Sequence, residues 1–228
     1  MLVIKNESVR KGLKLILPFA VIPLTVLVGS MAFAAKQYYL ISMIITLWTL
    51  LLFITGFEKK KTGSRRMVIA TVMTALCVVG RFIPFFKPIT ALTVITAVYL
   101  GGETGFLVGA MSALLSNFYF GQGPWTPFQM LAWGMIGLAA GYLSRLLKQK
   151  RALLLAFGLL SGVMYSLIMD VWTVLWYDGG FDAALYRGAV VASLPHMALY
   201  GVSNVVFLYV CAKPFGEKLQ RVKIKYGV

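Results

Sequence analysis

The densest set of polar and aromatic side chains in this chain reads Ser116-Asn-Phe-Tyr-Phe-Gly-Gln-Gly-Pro-Trp-Thr-Pro-Phe-Gln-Met130. Gly121, Gly123, Pro124 and Pro127 prevent a helix from running through it and shape a fixed turn. Around that turn stand Asn117, Tyr119, Gln122, Trp125, Thr126 and Gln129. Amides and hydroxyls can donate and accept hydrogen bonds there, while the rings offer flat apolar faces. That combination suits non-covalent recognition of a small molecule. An interfacial aromatic belt with a structural turn would explain Trp125 and Tyr119. It would not explain two glutamines and an asparagine in the same stretch.

A second group lies at the end of a long apolar run, Asp170-Val-Trp-Thr-Val-Leu-Trp-Tyr-Asp178, with Asp182 just beyond. Trp172, Trp176 and Tyr177 supply its rings. Asp170 sits about two turns inside the run, where a carboxylate is costly and is a functional candidate by default. It reads either as part of a site or as a buried partner for Arg81 or His196. Asp178 and Asp182 read as solvated. His196, the single histidine, is followed by Tyr200 and Asn204 at i+4 and i+8, so the three share one stripe of a helix. Such a stripe faces the bundle interior, to meet a ligand or to be satisfied within the bundle. Arg81 closes an apolar run beside Pro84 and Lys87. It either snorkels to headgroups or meets an anionic group in a pocket.

Reactive sets are missing. The sequence has no Walker-type glycine loop, no HExxH motif and no nucleophile elbow. Cys77 and Cys211 sit apart in apolar stretches, which gives neither a disulfide framework nor metal spacing. The residues therefore point to binding without catalysis, metal or cofactor.

The elements that must hold these residues are membrane helices. Of the 228 residues, 60% are apolar and 13% charged, with a mean hydropathy of +0.83. A soluble domain runs near 45–50% apolar and about 25% charged. A soluble enzyme and a disordered chain are excluded. Apolar runs of spanning length occur at about Leu13–Ala35, Tyr38–Phe57, Met67–Phe86, Pro88–Leu100 (short), Thr104–Phe120, Pro127–Leu147, Ala152–Trp176 and Gly188–Ala212. The first could be a signal peptide, but its length favours a retained span.

Charge placement gives a topology. With the N-terminus inside and each run crossing once, all but Lys36, Arg81, Lys87 and Arg187 of the 22 basic residues fall on one side. Cytoplasmic loops carry such an excess. The net charge of +15 thus reads as a rim facing anionic lipid, not as a nucleic-acid footprint. We expect an all-α membrane protein of about eight spans with both ends cytoplasmic. A transmembrane hairpin, residues 1–57, precedes a basic cytoplasmic linker, 58–66. A six-helix substrate-binding core, 67–218, and a basic tail, 219–228, follow. Glu103, at the turn Gly101-Gly-Glu-Thr-Gly105, orders a helix start. Small residues four apart, at Gly105/Gly109/Ala113, Gly137/Gly141, Gly158/Gly162, Ala70/Thr74 and Thr71/Ala75, allow close helix approach.

A six-span core with short structured outer loops and a small-residue first helix resembles the substrate-binding S-component of energy-coupling-factor (ECF) vitamin transporters. Ser116–Met130 is the most specific element and resembles the cobalamin-type members in particular. The resemblance covers about Arg66–Lys218, and the N-terminal hairpin departs from it. It implies capture of a vitamin at the outer face and docking on a transmembrane coupling subunit driven by two ATPase subunits. Docking would use a small-residue face of the first core helix, matched here by Ala70, Thr71, Thr74 and Ala75. The register is either Ala70-xxx-Thr74 or Thr71-xxx-Ala75. Cobalamin rests on this resemblance alone, since the same side chains suit riboflavin, folate or pantothenate. Two rivals from other classes use the same residues: a stand-alone proton-coupled carrier relying on Asp170, and a membrane-embedded enzyme relying on Asp170 and His196.

Overall fold

A computed structural model describes residues 3–32, 37–57 and 60–227, apart from the side chains of 60, 61 and 178. Lys36, Glu58 and Lys59 lie outside the described residues. Every described element is helical. The order is α1 (Glu7–Ile16), α2 (Ile22–Ala32), α3 (Tyr38–Thr55), α4 (Lys60–Gly80), α5 (Ile89–Leu100), α6 (Gly102–Phe120), α7 (Thr126–Tyr142), α8 (Ser144–Gln149), α9 (Arg151–Asp178) and α10 (Ala183–Tyr226).

Local chemistry sets the ends. Asn6 caps α1 by accepting from the Ser8 and Val9 amides at 3.0 and 3.2 Å. Pro18 and Pro23 remove two backbone donors from the first apolar run, and a π-helical turn, Leu17–Val21, joins α1 to α2. Asp182 caps α10, its Oδ1 accepting from the Leu185 amide at 2.6 Å. The acid expected to be merely solvated therefore starts the last helix. That helix continues through Pro195 and Pro214 for 44 residues and includes most of the basic tail. The basic stretch expected as a linker is, from Lys60 onward, the first turns of α4.

Among the described residues, five helical stretches are long and apolar enough to cross a membrane: Glu7–Ala32, Tyr38–Thr55, Thr62–Gly80, Arg151–Tyr177 and Ala183–Tyr226. The other expected crossings fall short of that measure for a physical reason. α5 has 12 residues, about 18 Å of helix, and buries all of them but Tyr99. α6 carries Glu103, Ser112, Ser116 and Asn117 along its length. These central helices are surrounded by protein, so they need less apolar surface than a helix facing lipid.

α5 packs against α4, α6, α7, α9 and α10, and the pairs α6–α7 and α9–α10 form the broadest contacts. Glycines let those pairs close. A Cβ added at Gly137 would lie 2.5 Å from the Gly105 carbonyl carbon, and one at Gly162 would lie 2.6 Å from the Gly201 nitrogen. The hairpin α1–α3 packs on the outside of α6 and α7. Lys14 pairs with Glu103 at 2.7 Å, and Arg66 donates to the Gly56 carbonyl at 3.2 Å. Glu103 thus ties the hairpin to the core as well as starting α6.

Candidate ligand-binding site

The end of the bundle opposite Glu103 gathers the segment 81–88, the C-terminal end of α6, the turn 121–125 and the facing parts of α9 and α10. Gly121, at φ 102°, ends α6 in a backbone region that a side chain disfavours. A Cβ at Gly123 would overlap the Trp125 ring. Pro127 then sits in the first turn of α7, where its missing N–H costs nothing. The turn is thus built by the residues that the sequence marks.

Asn117 is fully buried and acts as a hub. Its Oδ1 accepts from Arg81 Nη1 at 2.6 Å. Its Nδ2 donates to Thr126 Oγ1 and to Gln129 Oε1, each at 2.8 Å. Arg81 Nη1 also donates to Ser116 Oγ. Gln129 Nε2 reaches Tyr165 Oη at 3.1 Å. Gln122 Nε2 donates to the Leu114 carbonyl at 2.8 Å, and its Oε1 accepts from Thr126 at 3.0 Å. Gln122 and Thr126 therefore hold the turn closed with their polar groups.

Beneath this network the rings form a column. Trp133 stacks on Tyr165 at 4.9 Å between centroids, Tyr165 on Tyr200 at 5.0 Å and 9°, and His196 lies 4.6 Å from Tyr200. Trp133 Nε1 donates to Thr90 at 3.1 Å. The Arg81 guanidinium stands 5.0 Å from the Phe120 centroid and 5.4 Å from that of Trp133, with Lys87 also over Phe120 at 5.9 Å. Burial lowers the pKa of Arg81 from its ordinary value, against opposing pulls from Tyr165 and Tyr200. Burial, and then neighbouring Arg81, lower that of Lys87. The ion pairs among the described residues, Lys11–Glu7 and Lys14–Glu103, lie elsewhere. Two partly desolvated cations therefore give this end a positive potential that favours electron-rich ligand atoms.

The remaining candidates divide. Trp125 meets Trp172 edge-on at 5.9 Å, and Trp172 neighbours Trp176 at 6.3 Å. The Trp172 indole nitrogen is buried with no protein acceptor. Tyr119, 72% exposed, packs on Phe82 at 4.5 Å away from the hub. Tyr177 is 76% exposed. Asp170 accepts from Ser193 Oγ at 2.7 Å, so neither Arg81 nor His196 supplies that hydrogen bond. Asn204 is buried and donates to the Gly158 carbonyl at 3.1 Å across the α9–α10 crossing. The side chain of Asp178 lies outside the described residues.

Sequence reasoning missed Ser116, Thr90, Trp133 and Tyr165 as parts of this arrangement. The spacing Gln129–Trp133 was a usable signal, since i and i+4 share a helix face.

On α4, Ala70 and Thr74 are buried while Thr71 and Ala75 are exposed. All four line an apolar groove of about 310 Å³ with Leu50, Met67 and Met111. The outward register is thus Thr71-xxx-Ala75.

Comparison with curated proteins and with solved structures finds no match. Comparison with protein families matches residues 61–221 to "ECF-type riboflavin transporter, S component". The match begins just after the N-terminal hairpin. It supports the S-component resemblance and leaves the cobalamin-type one unsupported. S components of this kind bind a vitamin and work with a coupling subunit and ATPases. With most of its length matched, the chain belongs to the S components of ECF-type riboflavin transporters and is a multi-pass protein of the plasma membrane.

Proposed function

We propose that this chain captures riboflavin at the end of the bundle that carries Asn117 and Arg81. The observation that carries this reading is the family match over residues 61–221. The chemistry of the site supports it. Riboflavin joins a planar three-ring system, edged with carbonyl oxygens and ring nitrogens, to a polyhydroxyl chain. Aromatic faces at Trp125, Trp172, Trp176, His196 and Tyr200 suit the plane. Arg81 supplies donors for the electron-rich edge. Asp170 offers an acceptor for ligand hydroxyls. Asn117, Gln122, Thr126, Gln129 and Asn204 shape the site through the bonds they make to protein. Tyr119 and Tyr177 cover its rim.

Loaded protein would dock on the coupling subunit through Thr71 and Ala75, with Ala70 and Thr74 beneath them. Small side chains let a partner helix approach closely inside a membrane. The expected corrinoid is the rival ligand, and a direct titration separates the two. Purified chain without nucleotide should quench riboflavin fluorescence in a saturable way, because stacked rings provide the quenching path, and cobalamin should not compete. Binding of cobalamin in preference to riboflavin would overturn the proposal, as would binding that needs ATP.

A further inference from the structure

The opposite end of the bundle holds a second concave site, separate from the aromatic column. It is a pocket of about 290 Å³ among α5, α8, α9 and α10. Its polar wall is Lys148, Arg151 and Lys213, its rings are Tyr99 and Tyr209, and its floor is aliphatic, with Ile95 at the centre of α5. No aspartate or glutamate lines it. Arg151 is held in place twice: its Nη2 donates to the Tyr209 carbonyl at 2.8 Å, and its guanidinium lies 4.0 Å from the Tyr209 centroid. Lys148 lies 4.8 Å from the Tyr99 ring centroid. Lys223 comes from the far end of α10 to donate to the Tyr99 carbonyl at 3.2 Å.

Three exposed cations around one recess with no acid in its lining favour an anion among them. A planar guanidinium and two ammonium groups match phosphate oxygens in geometry and charge. The aliphatic floor adds a surface that a free ion would not need and an acyl chain would cover. The site lies at the end of the bundle where Lys14, Arg66 and Lys223 also gather, the end expected to face the cytoplasm. Basic pockets between helices on that side of a membrane take phosphate-bearing headgroups.

We propose that Lys148, Arg151 and Lys213 form a phosphate-binding site at the basic end of the bundle, occupied by the phosphodiester headgroup of an anionic phospholipid.

The test uses the full chain in detergent, with native mass spectrometry to count bound lipid. Phosphatidylglycerol is compared with phosphatidylcholine, and inorganic phosphate is titrated separately. The variant Lys148→Gln/Arg151→Gln/Lys213→Gln removes the site. The variant Lys218→Gln/Arg221→Gln/Lys225→Gln removes equal charge from outside the pocket lining. Retention of phosphatidylglycerol should fall by about fivefold for each pocket charge removed, and within twofold overall in the control variant. Lys213→Gln alone, an exposed change, should still show about a fivefold loss if the triple variant unfolds. Inorganic phosphate bound by the native chain and lost in the pocket variants would keep the site but assign it to a soluble phosphate. Equal losses in the pocket and control variants would overturn the proposal, as would no preference for phosphatidylglycerol together with no phosphate binding.

Discussion

Asn117 joins Arg81, Thr126 and Gln129 through a side chain that touches no solvent. Replacing it with Leu keeps the approximate shape and strands buried donors and acceptors on three partners. Asn117→Leu should lower stability by about 2–4 kcal/mol, read as a fall in unfolding temperature in detergent. An unchanged unfolding temperature would show that the hub is dispensable. Trp125 differs because its ring reaches Trp172 from a turn and is only partly covered. Trp125→Ala should weaken riboflavin binding by about thirtyfold, the usual scale for a central aromatic anchor. Tyr177→Ala, at a side chain with 76% exposure, should change affinity by no more than about twofold. Fluorescence titration of both variants checks the contrast, and equal effects would reject it. Arg81 shows how far single residues could be read. The sequence left it between headgroup and pocket. It turns inward because Ser116 and Asn117, on a helix 35 residues away, offer acceptors.

At the scale of elements, the glycine spacings became contacts between particular helices. Gly137 lies against Gly105, so α6 and α7 touch backbone to backbone. Gly137→Val would push them apart and should cost at least about 2 kcal/mol, whereas Gly180→Ala, with nothing within 4 Å, should be neutral. Thermal unfolding of the two variants measures the difference. α4 presents a second elemental test. Thr71→Trp and Ala75→Trp place bulk on an exposed face, while Ala70→Trp drives it into a position with 1% exposure. The first two should abolish vitamin uptake in cells and leave binding by the purified chain within about threefold, since a large ring blocks close helix approach. Ala70→Trp should impair folding itself. Normal uptake by both exposed variants would argue against docking at this face.

At the scale of the molecule, the chain divides into a matched region and an addition. The family match starts at residue 61, and the hairpin before it leans on α6 and α7 through apolar contacts and the Lys14–Glu103 pair. A chain lacking residues 1–57 should therefore still bind riboflavin within a few-fold, with a lower unfolding temperature because the buried faces of α6 and α7 lose cover. Loss of all binding in a folded, monodisperse truncation would place the hairpin in the binding unit.

Much of this was legible without coordinates, for a physical reason. Apolar run length marks a chain as membrane-spanning because it reflects the bilayer, an environment common to every such chain. Local rules also sufficed where neighbours in sequence are neighbours in space. They located the turn at Gly121–Trp125, but of the stripe expected to face the bundle interior only Tyr200 and Asn204 are buried, and His196 is exposed because it lies nearer the open end of the helix. What required the tertiary structure was everything made between distant segments. Asp170 accepts a hydrogen bond from Ser193, 23 residues on, and not from the Arg81 or His196 that the sequence offered as partners. The buried Tyr165 carries no local mark, yet it stacks between Trp133 and Tyr200 from two other helices. Thr71 faces out and Ala70 in because α4 packs on α5 and α6 with one particular rotation. Sequence spacing says which residues share a helix face, but only the packed neighbours decide where that face points.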